Sequence, residues 1–325
     1  MKPGRGEGVG VLVWVPYRPL VAAYLPLARD LAEAGHRVTV AVRSGIDLSA
    51  FPAALAEGLD IRSVERPELP KIEGIQVFVS RDEHMHWAPP GARRVCLFHS
   101  LPEEPPGLYS FPDFFRRKSA LAAETDYLML ARVDDAGLHA DAVRSCTDGV
   151  FPVGMLAGRG RFFQAVPFGY PKIDHMARLR RPPAAAPRVV YSPTNLTMTD
   201  SRMREHGARI IAALLDAAPD LTVVFHPFPN DVNRAASRRM LADLPDLSRV
   251  VVDESAYNLA SSLDAALLVT DLSSSALSFT LALLRPHVTV DFDRPGGPEP
   301  EVRPLGYHVR SPEALAAAVA DALRP

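Results

Sequence analysis

The stretch from Leu263 to Asp291, LDAALLVTDLSSSALSFTLALLRPHVTVD, decides the fold. A buried apolar run, Ala265 to Val269, ends at Thr270 and Asp271. Three serines follow, then an apolar helix, then Arg285 and Pro286, then a second apolar strand from Val288. The order is strand, polar turn, helix, strand, with the polar groups gathered at the C-terminal end of the first strand. Open α/β sheets bind ligands at that edge. A helix that begins there presents free backbone N–H groups and the positive end of its dipole, which suits a phosphate. Ser273, Ser274 and Ser275 add short hydroxyl donors, and Asp271 is placed to accept from a sugar hydroxyl. The competing reading is that Asp271 or Ser273 only caps the helix.

Working outward, the same rhythm runs through the chain. Val9–Val15 reads as a strand, Leu20–Ala34 as a helix stopped at Gly35, Val38–Val42 as a strand, Leu48–Glu57 as a short helix and Asp60–Val64 as a third strand. Further strands are expected at Ile75–Val79, Arg94–Phe98, Asp126–Leu130 and Gly149–Val153, with a helix over Asp134–Arg144. After a linker near Arg159–Pro167 the pattern restarts. Strands are expected at Val189–Ser192, Leu221–Phe225 and Arg249–Val252, and helices at Met203–Ala218, Asn233–Leu241, Tyr257–Ser262 and Pro312–Leu323. Such alternation predicts parallel, doubly wound sheets with right-handed crossovers. The expected organisation is two Rossmann-like domains facing a cleft, residues 1–165 and 166–325. The proline-rich run Arg181–Pro187 reads as a connector without structure of its own.

Composition narrows the function classes. The chain has 325 residues, 47% of them hydrophobic and 23% charged, with a net charge of −2. No basic face dominates, so no nucleic-acid partner is expected. Cys96 and Cys146 lie far apart, without metal or disulfide spacing, and Cys96 reads as a buried thiol. The apolar VGVLVWV stretch near the N-terminus is too short for a membrane span and is followed by PYRP, so it reads as a strand and the protein as cytoplasmic. Arg116, Arg117 and Lys118, after an aromatic-rich loop, leave room for peripheral membrane contact. The RDEHMHW segment holds His84 and His86 but lacks a second group for a metal, and reads as a solvated loop. No cofactor or metal is expected.

Several other polar groups fall at strand ends. His99 directly follows an apolar strand, where an imidazole can serve as a general base. His226 holds the matching position in VVFHPFPN and suits a phosphate. Ser192 and Thr194 follow the strand that ends at Tyr191. Gly169 and Lys172 open a helix in GYPKID, the glycine allowing close backbone approach and the lysine a phosphate contact.

The order of these pieces resembles the CDP-glycerol glycerophosphotransferase family, the teichoic-acid polymerase type, and more broadly the two-domain GT-B glycosyltransferases. The resemblance spans roughly Phe98 to Asp293 and rests on His99, GYPKID, YSPTN, His226-Pro227, and TDLSSS with a later Arg285-Pro286. It implies nucleotide-diphosphate binding in the C-terminal domain by Asp271, Ser273 and Ser274, a phosphate-contacting His226, and His99 as catalytic base. It also implies catalysis without a bound metal, with helix dipoles, His226 and Lys172 stabilising the departing phosphate. His-Ser stands where the family has His-Gly, and Asn195-Leu196 where it has an aromatic and a basic residue. The implied function is therefore a transferase that moves a glycerophosphate or glycosyl group from a CDP- or UDP-linked donor to a hydroxyl acceptor, which may carry a lipid. A GT-B nucleotide-sugar epimerase and a non-catalytic nucleotide-binding module remain the alternatives.

Overall fold

The computed structural model describes residues 8–49, 51–97, 125–130, 164–197, 201–271, 273, 275–293, 295–303 and 305–324. The chain forms two compact units, Met1–Lys172 and Ile173–Pro325. Each is built on a seven-stranded sheet.

In the first unit the sheet contains β1 (Gly10–Val15), β2 (Arg37–Arg43), β3 (Asp60–Val64), β4 (Val77–Ser80), β5 (Arg93–Leu97), β6 (Tyr127–Leu130) and β7 (Gln164–Pro167). Its order is β3-β2-β1-β4-β5-β6-β7, and every described pairing is parallel. All six residues of β1 are buried, as a central strand covered on both faces requires. Helix α1 (Val21–Glu33) returns the chain to β2. It ends as its sequence predicts. Gly35 takes a φ of 93°, the Gly35 N–H bonds Ala32 O, and the His36 N–H bonds Leu31 O, which satisfies two otherwise orphaned carbonyls.

The second sheet contains β8 (Arg188–Tyr191), β9 (Thr222–Phe225), β10 (Val250–Val252), β11 (Leu267–Thr270), β12 (His287–Val290), β13 (Glu301–Arg303) and β14 (Gly306–Val309). Its order is β10-β9-β8-β11-β12-β14-β13, with β13 alone antiparallel at the edge. The helices are α2 (Pro171–Arg178), α3 (Met203–Ala217), α4 (Asp231–Ala242), α5 (Leu259–Asp264), α6 (Ser275–Leu283) and α7 (Pro312–Ala322). Val189, Tyr191, Val223, Phe225, Val269 and Val288 meet Ile210, Ile211 and Leu214 of α3 and Leu315 and Val319 of α7 in one core. Burial of each such side chain contributes roughly 1.5–3 kcal/mol. Both sheets reverse strand order beside their first strand, the doubly wound arrangement that the βα alternation predicts. Cys96 is fully buried, as expected. Among the described residues no helix is long and apolar enough to cross a membrane.

Three readings of the sequence are corrected. The expected linker near Arg159–Pro167 ends in β7, which pairs with β6 in the first sheet. The Leu48–Glu57 helix shrinks to a single 3₁₀ turn at Ala53–Leu55, because Pro52 lacks the N–H a longer helix needs. The RDEHMHW segment is no solvated loop. Asp82–Trp87 is a 3₁₀ helix in which His84 is 2% exposed, and Met85 packs among Leu12, Trp14 and Phe78. Met85 and Trp87 are the apolar residues that draw it inward. The β13–β14 hairpin has no counterpart in the reading, since prolines and glycines around it mask two very short strands. The expected strand Gly149–Val153 and helix Asp134–Arg144 lie outside the described residues.

Arg285 shows why the Arg-Pro pair follows the serine turn. Its guanidinium donates to the carbonyls of Ser262 (3.3 Å), Leu263 (3.0 Å) and Ala265, and to that of Arg181. These carbonyls belong to the C-terminal end of α5 and to the start of the connector, so Arg285 adds to the one backbone cap bond there, from the Ala265 N–H to Ser262 O. Asp264 adds an ion pair with Arg181 at 2.6 Å and accepts the Ala184 N–H through its carbonyl at 2.9 Å. The Arg181–Pro187 connector forms no helix or strand, as its sequence predicts, and these contacts tie it down. Arg285 serves the N-terminal edge of β11, opposite the serines. Replacing Arg285 with Met is expected to cost roughly 2–4 kcal/mol of stability by leaving buried carbonyls unpaired, which urea denaturation will read directly.

Candidate functional site at the C-terminal edge of the second sheet

The parallel strands of the second sheet all end at one edge, and the strand order reverses between β8 and β11. Loops leaving those two strands must diverge, which opens a crevice at the switch point. Ser192–Asn195 flank it from β8, and Asp271–Ser275 from β11. His226 follows β9, Asp253 follows β10, and Asp291 follows β12.

The β8 side is stitched to β11. The Ser192 N–H bonds Val269 O at 2.9 Å, and the Thr270 hydroxyl bonds Ser192 O at 2.6 Å. Ser192 is buried. Thr194 and Asn195 remain half-buried on the rim. The Asn195 side-chain oxygen accepts from the Thr197 N–H (3.2 Å) and from the Asn230 amide (3.2 Å), while Asn230 caps α4 by accepting the Asn233 N–H at 2.8 Å. The rims after β8 and β9 are therefore joined through two amides.

Asp271 is 1% exposed. One carboxylate oxygen accepts the Thr194 N–H at 2.6 Å and the other the Arg202 N–H at 3.0 Å. Neither bond is to α6, so Asp271 is not a simple cap of the helix that follows it. Burial pushes its carboxyl up to about 7, against the pull of the backbone N–H donors and Arg202. Ser273 does interact with α6. Its hydroxyl lies 2.9 Å from the Ser275 hydroxyl and 3.3 Å from the Ser275 N–H, and its carbonyl accepts the Ala276 N–H. Both serines stay half-buried, on the helix end that faces the crevice.

His226 is 5% exposed, its N–H bonded to Tyr191 O. Its Nδ1 lies 3.5 Å from the Asp253 carboxylate. Asp253 also accepts the Ser255 N–H at 2.9 Å and a short bond from the Ser261 hydroxyl. Burial works to raise the Asp253 carboxyl, but the donors on His226, Ser261 and Ser255 outweigh it and hold the group well below the usual carboxylate range. Asp253 thus lies beside His226 at the C-terminal edge of the sheet.

Gly169 and Lys172 fall in the first unit, at the entry to α2. Gly169 has a φ of 90°, a conformation that favours glycine. Burial lowers the Lys172 ammonium to about 8, while part of the side chain keeps some exposure. His99 and Ser274 lie outside the described residues, as do Arg116, Arg117 and Lys118.

Four acidic or basic residues of this edge escaped the sequence reading: Asp253, Asp291, Asp293 and Arg202. The first two carried a signal. Asp253 and Asp291, like Asp271, directly follow an apolar strand ending, in VVVD, VTVD and LVTD. Arg202 carried none, because its role depends on partners about 70 and 90 residues away.

No family model matches the chain, and no curated protein matches it in sequence. Solved structures do match. The wall teichoic acid polymerase TagF superposes with a TM-score of 0.57 at 14% identity, over 97% of this chain and 79% of TagF. The Staphylococcus aureus MnaA–UDP structure gives 0.56 at 13% identity, over 86% and 79%. A glycosyltransferase from Rickettsia africae gives 0.51 at 12% identity, over 98% and 88%. At these identities the likeness is one of fold. It identifies the chain as two Rossmann-like α/β units of the GT-B type.

Asp253→Asn tests the His226–Asp253 pair. A depressed carboxylate stabilises the folded state above its unfolded pKa, near 3.8, and that contribution disappears as pH falls through the folded value. The variant is expected to be less stable than the wild type at pH 7 and to approach it below about pH 3, as followed by denaturant unfolding across pH.

Proposed function

We propose that the protein is a transferase that takes a glycerophosphate or glycosyl group from a nucleotide-diphosphate-linked donor and passes it to a hydroxyl acceptor. The observation that carries this reading is the N-terminal end of α6 at the switch-point crevice, with the Ser273 and Ser275 hydroxyls beside it. Backbone N–H groups and hydroxyls are the donors that a diphosphate recruits, and the helix dipole favours its negative charge. They need no reorganisation when charge builds on the departing phosphate. His226, beside Asp253, stands on the same edge as a further donor.

Two facts from similar folds support the reading. One TagF structure was obtained with CDPG, and the MnaA structure contains UDP. A nucleotide-linked ligand is common to both. His99 of the first unit is proposed as the base that takes the acceptor proton, with Gly169 and Lys172 among the donor-binding groups. In this reading Asp271 acts through the main chain it holds and not through a sugar hydroxyl.

The test supplies the purified protein with CDP-glycerol, CDP-ribitol or UDP-sugars, with and without polyol or glycan acceptors, and follows released nucleotide. Acceptor-dependent release is the expected outcome, CMP from a CDP-polyol or a nucleoside diphosphate from a sugar donor. Sugar interconversion without acceptor would establish the epimerase instead. Binding without turnover would establish a nucleotide-binding module. The paired Ser273→Ala and Ser275→Ala substitution is expected to weaken nucleotide binding about tenfold, the loss of one bond to a charged group. His99→Ala is expected to keep the fold and nucleotide affinity while abolishing transfer.

A further inference from the structure

Arg202 joins the ends of two strands through one residue. Its backbone N–H donates to Asp271, after β11, at 3.0 Å. Its Nε and Nη2 donate to Asp291, after β12, at 3.1 and 2.7 Å. Its Nη1 lies 2.5 Å from the Asp293 carboxylate. The other Asp293 oxygen is 2.5 Å from Nε2 of His206, one turn further along α3. Asp291 is 1% exposed and the Arg202 side chain 11%, so this is no solvent-screened surface pair.

The arrangement ties two points of the chain, Thr194 and Arg202, to one carboxylate. Asp271 takes the N–H of Thr194 with one oxygen and that of Arg202 with the other, so a single carboxylate holds both ends of the segment 194–202. The Ser201 hydroxyl adds a bond to Thr194 O at 3.2 Å. Thr194 and Asn195 follow β8, and Ser273 and Ser275 follow the neighbouring β11, at the same edge of the sheet. Glu205, His206 and Asp293 bring ligand-type atoms within 4.8 Å of one another, but the Arg202 guanidinium already occupies Asp293.

We propose that Arg202 is a positioning residue for the donor site. It ties the start of α3 to the chain ends after β11 and β12, and Asp271 ties Thr194 to the same point, and so it sets the shape of the crevice. The inference rests on the donor-site reading above. Lysine cannot replace it, because one ammonium cannot reach two carboxylates with the in-plane fork that guanidinium provides.

Arg202→Lys and Asp293→Asn are the informative variants, the second removing only the outer contact at a half-exposed residue. Hydrogen–deuterium exchange of the full-length protein is expected to rise at least tenfold across 194–202 in Arg202→Lys and less in Asp293→Asn. The β9 amides, Thr222–Phe225, should keep wild-type exchange in both. Titration with CDP and UDP is expected to show about tenfold weaker binding for Arg202→Lys, and in any transfer assay a raised KM with kcat nearly kept. Unchanged loop exchange in both variants, exchange raised equally across the unit, or wild-type nucleotide affinity in Arg202→Lys with a loosened loop would each overturn the proposal. If the wild type binds neither nucleotide, the donor-site reading fails for those bases, and the exchange limb alone then judges the clamp.

Discussion

A carboxylate with almost no access to water holds the second unit's functional edge together. Asp271 sits where β11 ends, and parallel strands leave their last peptide groups without ladder partners at such an edge. Two loops depart there in opposite senses, one from β8 and one from β11, and each carries N–H groups that burial would leave unsatisfied. An unpaired buried N–H costs roughly 1–3 kcal/mol. Asp271 satisfies one on each end of the 194–202 segment. The cost is a carboxyl that burial pushes up to about 7. The same contacts define a crevice with hydroxyls and a helix end on one side and amides on the other.

The opposite edge follows the same logic with the opposite charge. There the orphaned groups are carbonyls, at the C-terminal end of α5, and a cation answers them. Arg285 donates to carbonyls of Ser262, Leu263, Ala265 and Arg181. Acid at the strand C-termini and a guanidinium at their N-termini give the Leu263–Asp291 unit a polarity that its sequence states in order: Asp271 first, Arg285 fourteen positions later. A pattern of this kind is a requirement of the strand–helix–strand unit before it is a signature of any reaction.

That distinction explains what was legible. The apolar runs, the Gly35 stop and the serine turn carry their structure locally, in a period or a cap, and the corresponding elements formed within a residue or two. The RDEHMHW segment misled because its charges suggested water while Met85 and His84 packed inward. The Arg159–Pro167 stretch misled because an edge strand such as β7 has few residues in which to show a pattern. At the site, the polar residues at strand ends were visible as the first break after an apolar run. What each one touches was not. Asp271 looked like a group aimed at a ligand, and its oxygens are taken by N–H groups that only the folded chain brings near. Arg202 looked like any surface arginine.

The same distinction bears on how far the fold speaks for the chemistry. TagF, MnaA and a glycosyltransferase share this architecture at 12–14% identity with the present chain. What such distant chains can share is what the architecture itself demands, namely strand ends, a helix N-terminus beside a switch point, and buried charges that satisfy main-chain groups. A helix N-terminus suits a phosphate whatever group is attached to it. Under the proposed donor-site reading, selectivity for the attached group would fall to rim side chains such as the half-buried Thr194 and Asn195. A rigid base beneath a variable rim is an arrangement by which one phosphate site can serve different donors, since the loop's tip can change without disturbing the carboxylate that anchors its ends.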